Sequence, residues 1–212
     1  MSMDFGVDVI SAEECERQRA LYGPLTEALR KLIAAGIHTE IDEETVRSAQ
    51  ATIESVTQTL QSKQRAATST LRLEGTGRPL AWANPAVGLR NAIAPPMIIH
   101  HEADGRAWSE FVLSGAYEGP PGWVHGGICA LVLDHILGEA ASEGLTKPKF
   151  TGTISLRYVR GTPLGPLRAE AFIERTEGVK TFARGYLSDS DGTTVEADGV
   201  FIRPAWARDV TE

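Results

Sequence analysis

Residues 126–141 read GGICALVLDHILGEAA, apolar around almost the whole circumference of a helix, with Asp134 in the middle. A helix of that kind is buried on most sides, and an ionised carboxylate taken out of water without partners is costly. Two readings follow: Asp134 is salt-bridged or hydrogen-bonded for structure, or it is a functional carboxylate tuned by desolvation. The start of the same helix adds a second chemical element. His125-Gly126-Gly127 follows a Pro/Gly-rich loop, so unpaired backbone N–H groups point outward at the positive end of the dipole. Gly126 and Gly127 lack side chains and let a substrate oxygen approach those donors. One end of the helix would hold an oxyanion and the middle would supply a nucleophile or base.

Eight residues separate Gly126 from Asp134, about 12 Å along a helix axis. A reacting carbonyl needs its oxyanion donor and its nucleophile each within about 3–3.5 Å. One copy of the helix cannot serve both sides of one carbonyl. Two antiparallel copies related by a two-fold axis can, which predicts an obligate homodimer with two shared sites.

Other reactive side chains make weaker patterns. His125 and Cys129 lie four apart, but a buried cysteine is far more often a small hydrophobe than a thiolate nucleophile. His135 and Glu139 share the same spacing, and two ligands on one helix make a poor metal site, so no metal or other cofactor is expected. His100-His101 reads as hydrogen-bonded structure. The glycine-rich pieces contain no GxxxxGK[ST] run.

The elements that must position these residues fall into three stretches. Residues 1–70 read as a helical extension. Leu21, Leu25, Leu29, Leu32 and Ile33 fall at helical spacing, Gly23-Pro24 divides them into two short helices, and Gly36 is a stop signal. A longer helix begins at Asp42. Its residues Val46, Ala49, Ile53, Val56 and Leu60, at alternating steps of three and four, form a narrow stripe that packs on the chain itself or on a second subunit. Residues 71–96, punctuated by Gly and Pro, read as a surface connector anchored by Trp82 and Leu89. Residues 97–204 form the main domain, with a short tail at 205–212. Strands are expected at 97–101 and 107–113 around Asp104-Gly105, then one helix, then an antiparallel meander over 150–160, 165–176, 179–188 and 193–203. This is an α+β domain with one helix on an antiparallel sheet.

Composition sets outer bounds. A chain of 212 residues with 42% hydrophobic residues can bury a sizeable core. A net charge of −7 argues against a general nucleic-acid binder, and residues 1–70 are themselves acidic, with 7 basic and 11 acidic groups. No apolar run is long enough to span a membrane. The N-terminus does not read as a signal peptide, and two cysteines form no disulfide framework, so the expected compartment is the cytoplasm.

The run EGPPGWVHGGICALVLDHILG, residues 118–138, resembles the signature of hotdog-fold acyl-CoA thioesterases. It is most similar to mammalian mitochondrial and actinobacterial members of the PaaI-like branch. The resemblance covers about residues 84–203 and includes NPAVGLRNAIAPP at 84–96. It implies a helix wrapped by a curved antiparallel sheet, dimers that often pair into tetramers, an acyl-CoA substrate and no metal. It also implies Gly126 as oxyanion donor, Asp134 as nucleophile or general base, His125 as support for the helix start, and Thr151 as the group that positions water. Lys180 matches a lysine after the turn between the next strands. Gly119 departs from the asparagine that many such enzymes carry six residues before the histidine.

Charge fits the same ligand class. Residues 147–184 hold eight basic groups and three acids, a plausible seat for coenzyme A phosphates, with Arg157, Arg160 and Lys180 the best candidates. The rival reading is a non-catalytic acyl-CoA-binding sensor of the same fold. Hydratase chemistry fits the His-Gly-Gly and Asp spacing poorly.

Overall fold

The computed structural model describes residues 7–64, 70–77 and 79–207. The chain enters as a short strand, β1 (Val7–Ile10), followed by α1 (Ala12–His38), α2 (Glu43–Gln61) and β2 (Thr70–Leu73). β1 and β2 pair in parallel, so strand structure lies inside a stretch that hydrophobic spacing reads as wholly helical. Four residues are too few to show a period against the helical signal that follows.

The two helices expected around Gly23-Pro24 are one. α1 runs through Pro24 and past Gly36 to His38. Its start is capped by Ser11, whose Oγ accepts from the Glu14 N–H at 3.1 Å. Burial holds it on both sides of the proline: Cys15 and Thr26 are buried, and Arg30 Nε donates to the Ala94 carbonyl at 3.3 Å. Packing of one face outweighs the single backbone bond that proline removes.

Residues 71–96 carry more order than a plain connector. Trp82 and Leu71 are buried together with Cys15, and Ile10, Leu73, Leu80 and Leu89 pack around them in a small second core. The Trp82 loop closes on itself through Gly88 N–H to Asn84 O at 2.8 Å and Arg90 N–H to Trp82 O at 2.9 Å. A side chain at position 88 would collide with the Asn84 backbone.

The main domain comprises β3 (His100–His101), β4 (Ala107–Leu113), α3 (Gly126–Ala141), β5 (Phe150–Tyr158), β6 (Gly165–Glu177), β7 (Lys180–Asp189) and β8 (Gly192–Ile202). The six strands form one antiparallel sheet in the order β3-β4-β6-β7-β8-β5. The expected meander therefore holds only for β6-β7-β8. β5 crosses to the far side and pairs with β8, leaving β4 to flank β6. Of the strand expected at 97–101, only His100 and His101 pair.

α3 lies across one face of this sheet, the hotdog arrangement. Cys129, Val132, Leu133, Ile136 and Leu137 are buried against inward residues of the strands, among them Leu167, Ala169, Ala171, Ala183, Val195 and Phe201. Two glycines let the helix come close. A Cβ at Gly185 would stand 2.8 Å from Leu137 Cδ1, and one at Gly199 would stand 3.0 Å from Leu137 Cδ2. Leu137 thus sits in a notch that only glycine leaves open.

Candidate active site

The helix start is built by the loop before it. His125 N–H donates to the Tyr117 carbonyl at 2.9 Å and Val124 N–H to Thr162 O at 2.8 Å. Gly119 lies under His125, where a Cβ would stand 2.8 Å from His125 Cα. An asparagine there would have to displace the residue that caps α3, so this chain has no room for the side chain that many similar enzymes carry.

His125 caps α3 with its ring: Nδ1 accepts from the Gly127 N–H at 3.0 Å. The donor expected to be open at Gly127 is therefore spent on the cap, and Gly127 is not available to a ligand oxygen. Gly126 N–H makes no hydrogen bond among the described residues, as befits the first helical position. Its carbonyl accepts from the Tyr158 hydroxyl at 2.8 Å, and the Tyr158 ring packs against the glycine so that a Cβ would meet it at 3.4 Å. Burial, and then the neighbouring Cys129, push the Tyr158 hydroxyl above its ordinary value. Tyr158 thus lies at the candidate site, a placement that the helix pattern alone does not reveal. Its signal is a phenol on the same strand face as Ile154 and Leu156.

Two turns further on, Asp134 is half-buried rather than sealed in the core. Its Oδ1 accepts from Thr151 Oγ1 at 2.8 Å. Strict alternation with Ile154, Leu156 and Tyr158 would place Thr151 on the opposite face of the sheet. A β-bulge at Gly152 corrects this: Thr151 pairs with Phe201 and Thr153 with Val200, leaving Gly152 unpaired between them. The extra residue turns Thr151 toward the helix and Phe150 outward.

The fully buried carboxylate of α3 is Glu139, 3% exposed. Its two oxygens lie 3.3 Å from His101 Nε2 and 3.4 Å from His135 Nε2. Among the described residues no group of three His, Cys, Asp or Glu side chains has a metal-binding arrangement. Burial pushes the Cys129 thiol up, which opposes a thiolate, and its Sγ lies 3.6 Å from Thr162 Oγ1.

The basic candidates do not converge. Arg160 is committed to Asp189, with Nη1 to Oδ2 at 2.8 Å, a second bond from Nη2 to Oδ1, and a further bond to Gly192 O at 2.8 Å. Arg157 pairs with Glu196 across β5 and β8. Lys180 is exposed at the start of β7, in register with Ile202, on the sheet face away from α3. Within one protomer the structure joins Thr151 to Asp134 and Tyr158 and His125 to the glycine end. It leaves the three basic residues apart from both.

No family model matches the sequence. A solved thioesterase superfamily protein does: it is 31% identical, the match covers 85% of this chain and 94% of that one, and the TM-score is 0.76. The chain belongs to the thioesterase superfamily. Zebrafish thioesterase superfamily member 2, 17% identical over 58% of this chain and 91% of its own, shares the fold at a TM-score of 0.50. Among curated proteins, the acyl-coenzyme A thioesterase THEM4 of Xenopus laevis is 28% identical over 109 residues, 50% of this chain. This thioesterase-superfamily chain spans about half (49%) of the length of that relative. No helix among its described residues is long and apolar enough to cross a membrane.

Proposed function

We propose that the protein hydrolyses acyl-CoA thioesters in a site shared by two copies of the chain. The observation that carries this reading is the crossed placement of two contacts on one strand. Tyr158 at one end of β5 touches Gly126, and Thr151 near the other end holds Asp134. Among the described residues β5 has a partner on one side only: β8 is its single neighbour and the strand lies at the edge of the sheet. Antiparallel pairing of two such edges about a two-fold near Ile154 brings Thr151 and Asp134 of one copy beside Tyr158 and Gly126 of the other. That removes the separation of about 12 Å that keeps the two groups apart on one helix.

In this site the Gly126 N–H donates to the thioester oxygen as negative charge develops on it. Asp134 Oδ1 is held by Thr151, which leaves Oδ2 to take a proton from water as the water oxygen bonds to the carbonyl carbon. Collapse of the tetrahedral intermediate breaks the carbon–sulfur bond, and the CoA thiolate leaves with the proton held by Asp134. The products are the free acid and CoA. The CoA phosphates would fall to basic side chains contributed across the dimer, of which Lys180 is the one candidate without an ion-pair partner among the described residues.

Two variants test the reading together. Asp134→Asn removes the base, with an expected loss of about 10³-fold in kcat. Gly126→Pro removes the oxyanion donor where proline suits the first helical position, and His125 before it already has the extended backbone proline demands, φ −60° and ψ 132°. Each variant alone should be nearly inactive on a panel of acyl-CoAs. Mixed and reassociated, they should recover about a quarter of wild-type activity, because half the dimers are hybrids with one intact site. No recovery would exclude sharing. Binding of acyl-CoA without hydrolysis by the wild type would exclude the enzyme.

A further inference from the structure

We infer that α2 is a self-association helix, covered by the α2 of a second copy of this chain. The helix is 19 residues long, about 28 Å. It has no buried residue among the described parts of the structure. Val46, Ile53, Val56 and Leu60 are each 42–48% exposed on one stripe, with Ala49 between them. The steps of three and four are those of a coiled-coil seam rather than of a broad face laid on a domain. A continuous apolar strip of that kind, left to solvent, marks an interaction surface.

The charge pattern selects the occupant. The positions that flank the seam are Thr45, Gln50, Thr52, Thr57 and Thr59, none of them charged. The charged residues sit off the seam, where Arg47 is engaged with Glu43 on the same helix and Gln50 reaches along the helix to Glu54 at 2.7 Å. Two identical helices can therefore meet without like charges facing one another, and nothing at the flanks asks for a partner of opposite sign. The polar side carries Glu43, Glu44 and Glu54 against the single Arg47. That balance is wrong for a membrane surface or nucleic acid, both of which select basic helices. The hydroxyls of Thr52, Thr57 and Thr59 are turned onto the carbonyls of Ser48, Ile53 and Ser55 at 2.8–3.0 Å, so their methyl groups can widen the apolar strip. The contact is distinct from the β5 edge, and it would join active-site dimers in pairs.

Sedimentation equilibrium of the full chain tests this. Wild-type protein should have twice the mass of the Ile53→Glu variant, with turnover per chain unchanged because Ile53 is not among the residues placed at the site. Equal masses would overturn the proposal. Ile53 is the middle of the stripe, so it meets its own counterpart whether the helices run parallel or antiparallel. Ile53→Cys should accordingly cross-link into a covalent dimer under mild oxidation, and Glu54→Cys on the polar side should not. Failure of Ile53→Cys to cross-link, or equal cross-linking of both, would also overturn it. Because the readout is mass, loss of the shared catalytic site would leave this result intact.

Discussion

α2 and α3 are helices of similar length, 19 and 16 residues, and they are opposites in every respect that burial controls. α2 is held by local interactions: Asp42 caps it, with Oδ1 accepting from Thr45 N–H at 2.9 Å, and side chains four apart pair along its polar face. α3 has no acid in its first turn and no base in its last, and it exists because five strands close around it. The difference teaches where a helix can carry chemistry. The helix that relies on its own surface presents a repeating seam, suited to meeting a copy of itself. The helix that is fixed from outside holds Asp134 and Gly126 in place, because neither end can move without disturbing the sheet.

The sharpest way to break that contrast is to weaken the packing of α3. Leu137→Ala empties the notch between Gly185 and Gly199 and should cost about 2–5 kcal/mol, seen as a lowered midpoint in urea unfolding. A truncation on the polar side of α2, Glu54→Ala, should leave that midpoint almost unmoved. A midpoint unchanged in Leu137→Ala would mean that α3 is not held by the sheet as described.

A smaller effect is expected at the glycine end. Tyr158→Phe removes one hydrogen bond to the Gly126 carbonyl and keeps the ring against the helix. Turnover should fall by up to about tenfold, the value of one such bond, with KM and thermal stability little changed. A wild-type kcat in this variant would separate Tyr158 from the site.

The smallest effect is on α2 and depends on pH. Hydrogen bonds from the Thr45 backbone N–H, then from its hydroxyl, hold the Asp42 carboxyl below its ordinary value. A depressed folded-state pKa stabilises the helix above the ordinary carboxylate value, about pH 4, and the gain is lost as pH falls through the folded value. Far-UV circular dichroism should show a slight loss of helix in that acid range, reduced in Asp42→Asn, which caps without titrating. Identical acid profiles for the two proteins would remove the cap from the account.

How much of this was legible beforehand follows the same division. The bounds of α3 and the strands after it could be read closely, because a run of apolar residues broken by Glu177-Gly178 and Asp191-Gly192 leaves few other foldings. The N-terminal region is less legible. β1 and β2 are four residues each and find one another across more than fifty positions, a pairing that no local pattern announces. Pro24 looked like a break because proline costs a bond locally, whereas the faces that hold α1 together come from elsewhere in the chain. At the site, the glycine and the aspartate were visible by type and spacing. The degree of burial of Asp134 was not, since an apolar helix does not say which stretch of its surface the sheet leaves uncovered. Arg160 looked like a free cation because the acid that claims it, Asp189, lies 29 residues away.

One unpaired glycine on the edge strand has an outsize consequence. With Gly152 in place, a small hydroxyl faces the carboxylate and a benzyl ring faces out. Were Gly152 instead paired with Phe201 in ordinary pleating, the two would swap, placing hydrocarbon beside the carboxylate where the proposed reaction needs water. The sheet thus sets the polarity of its own interior by leaving one residue out of the ladder, and drawing that residue back into register would dry the site while altering none of its side chains.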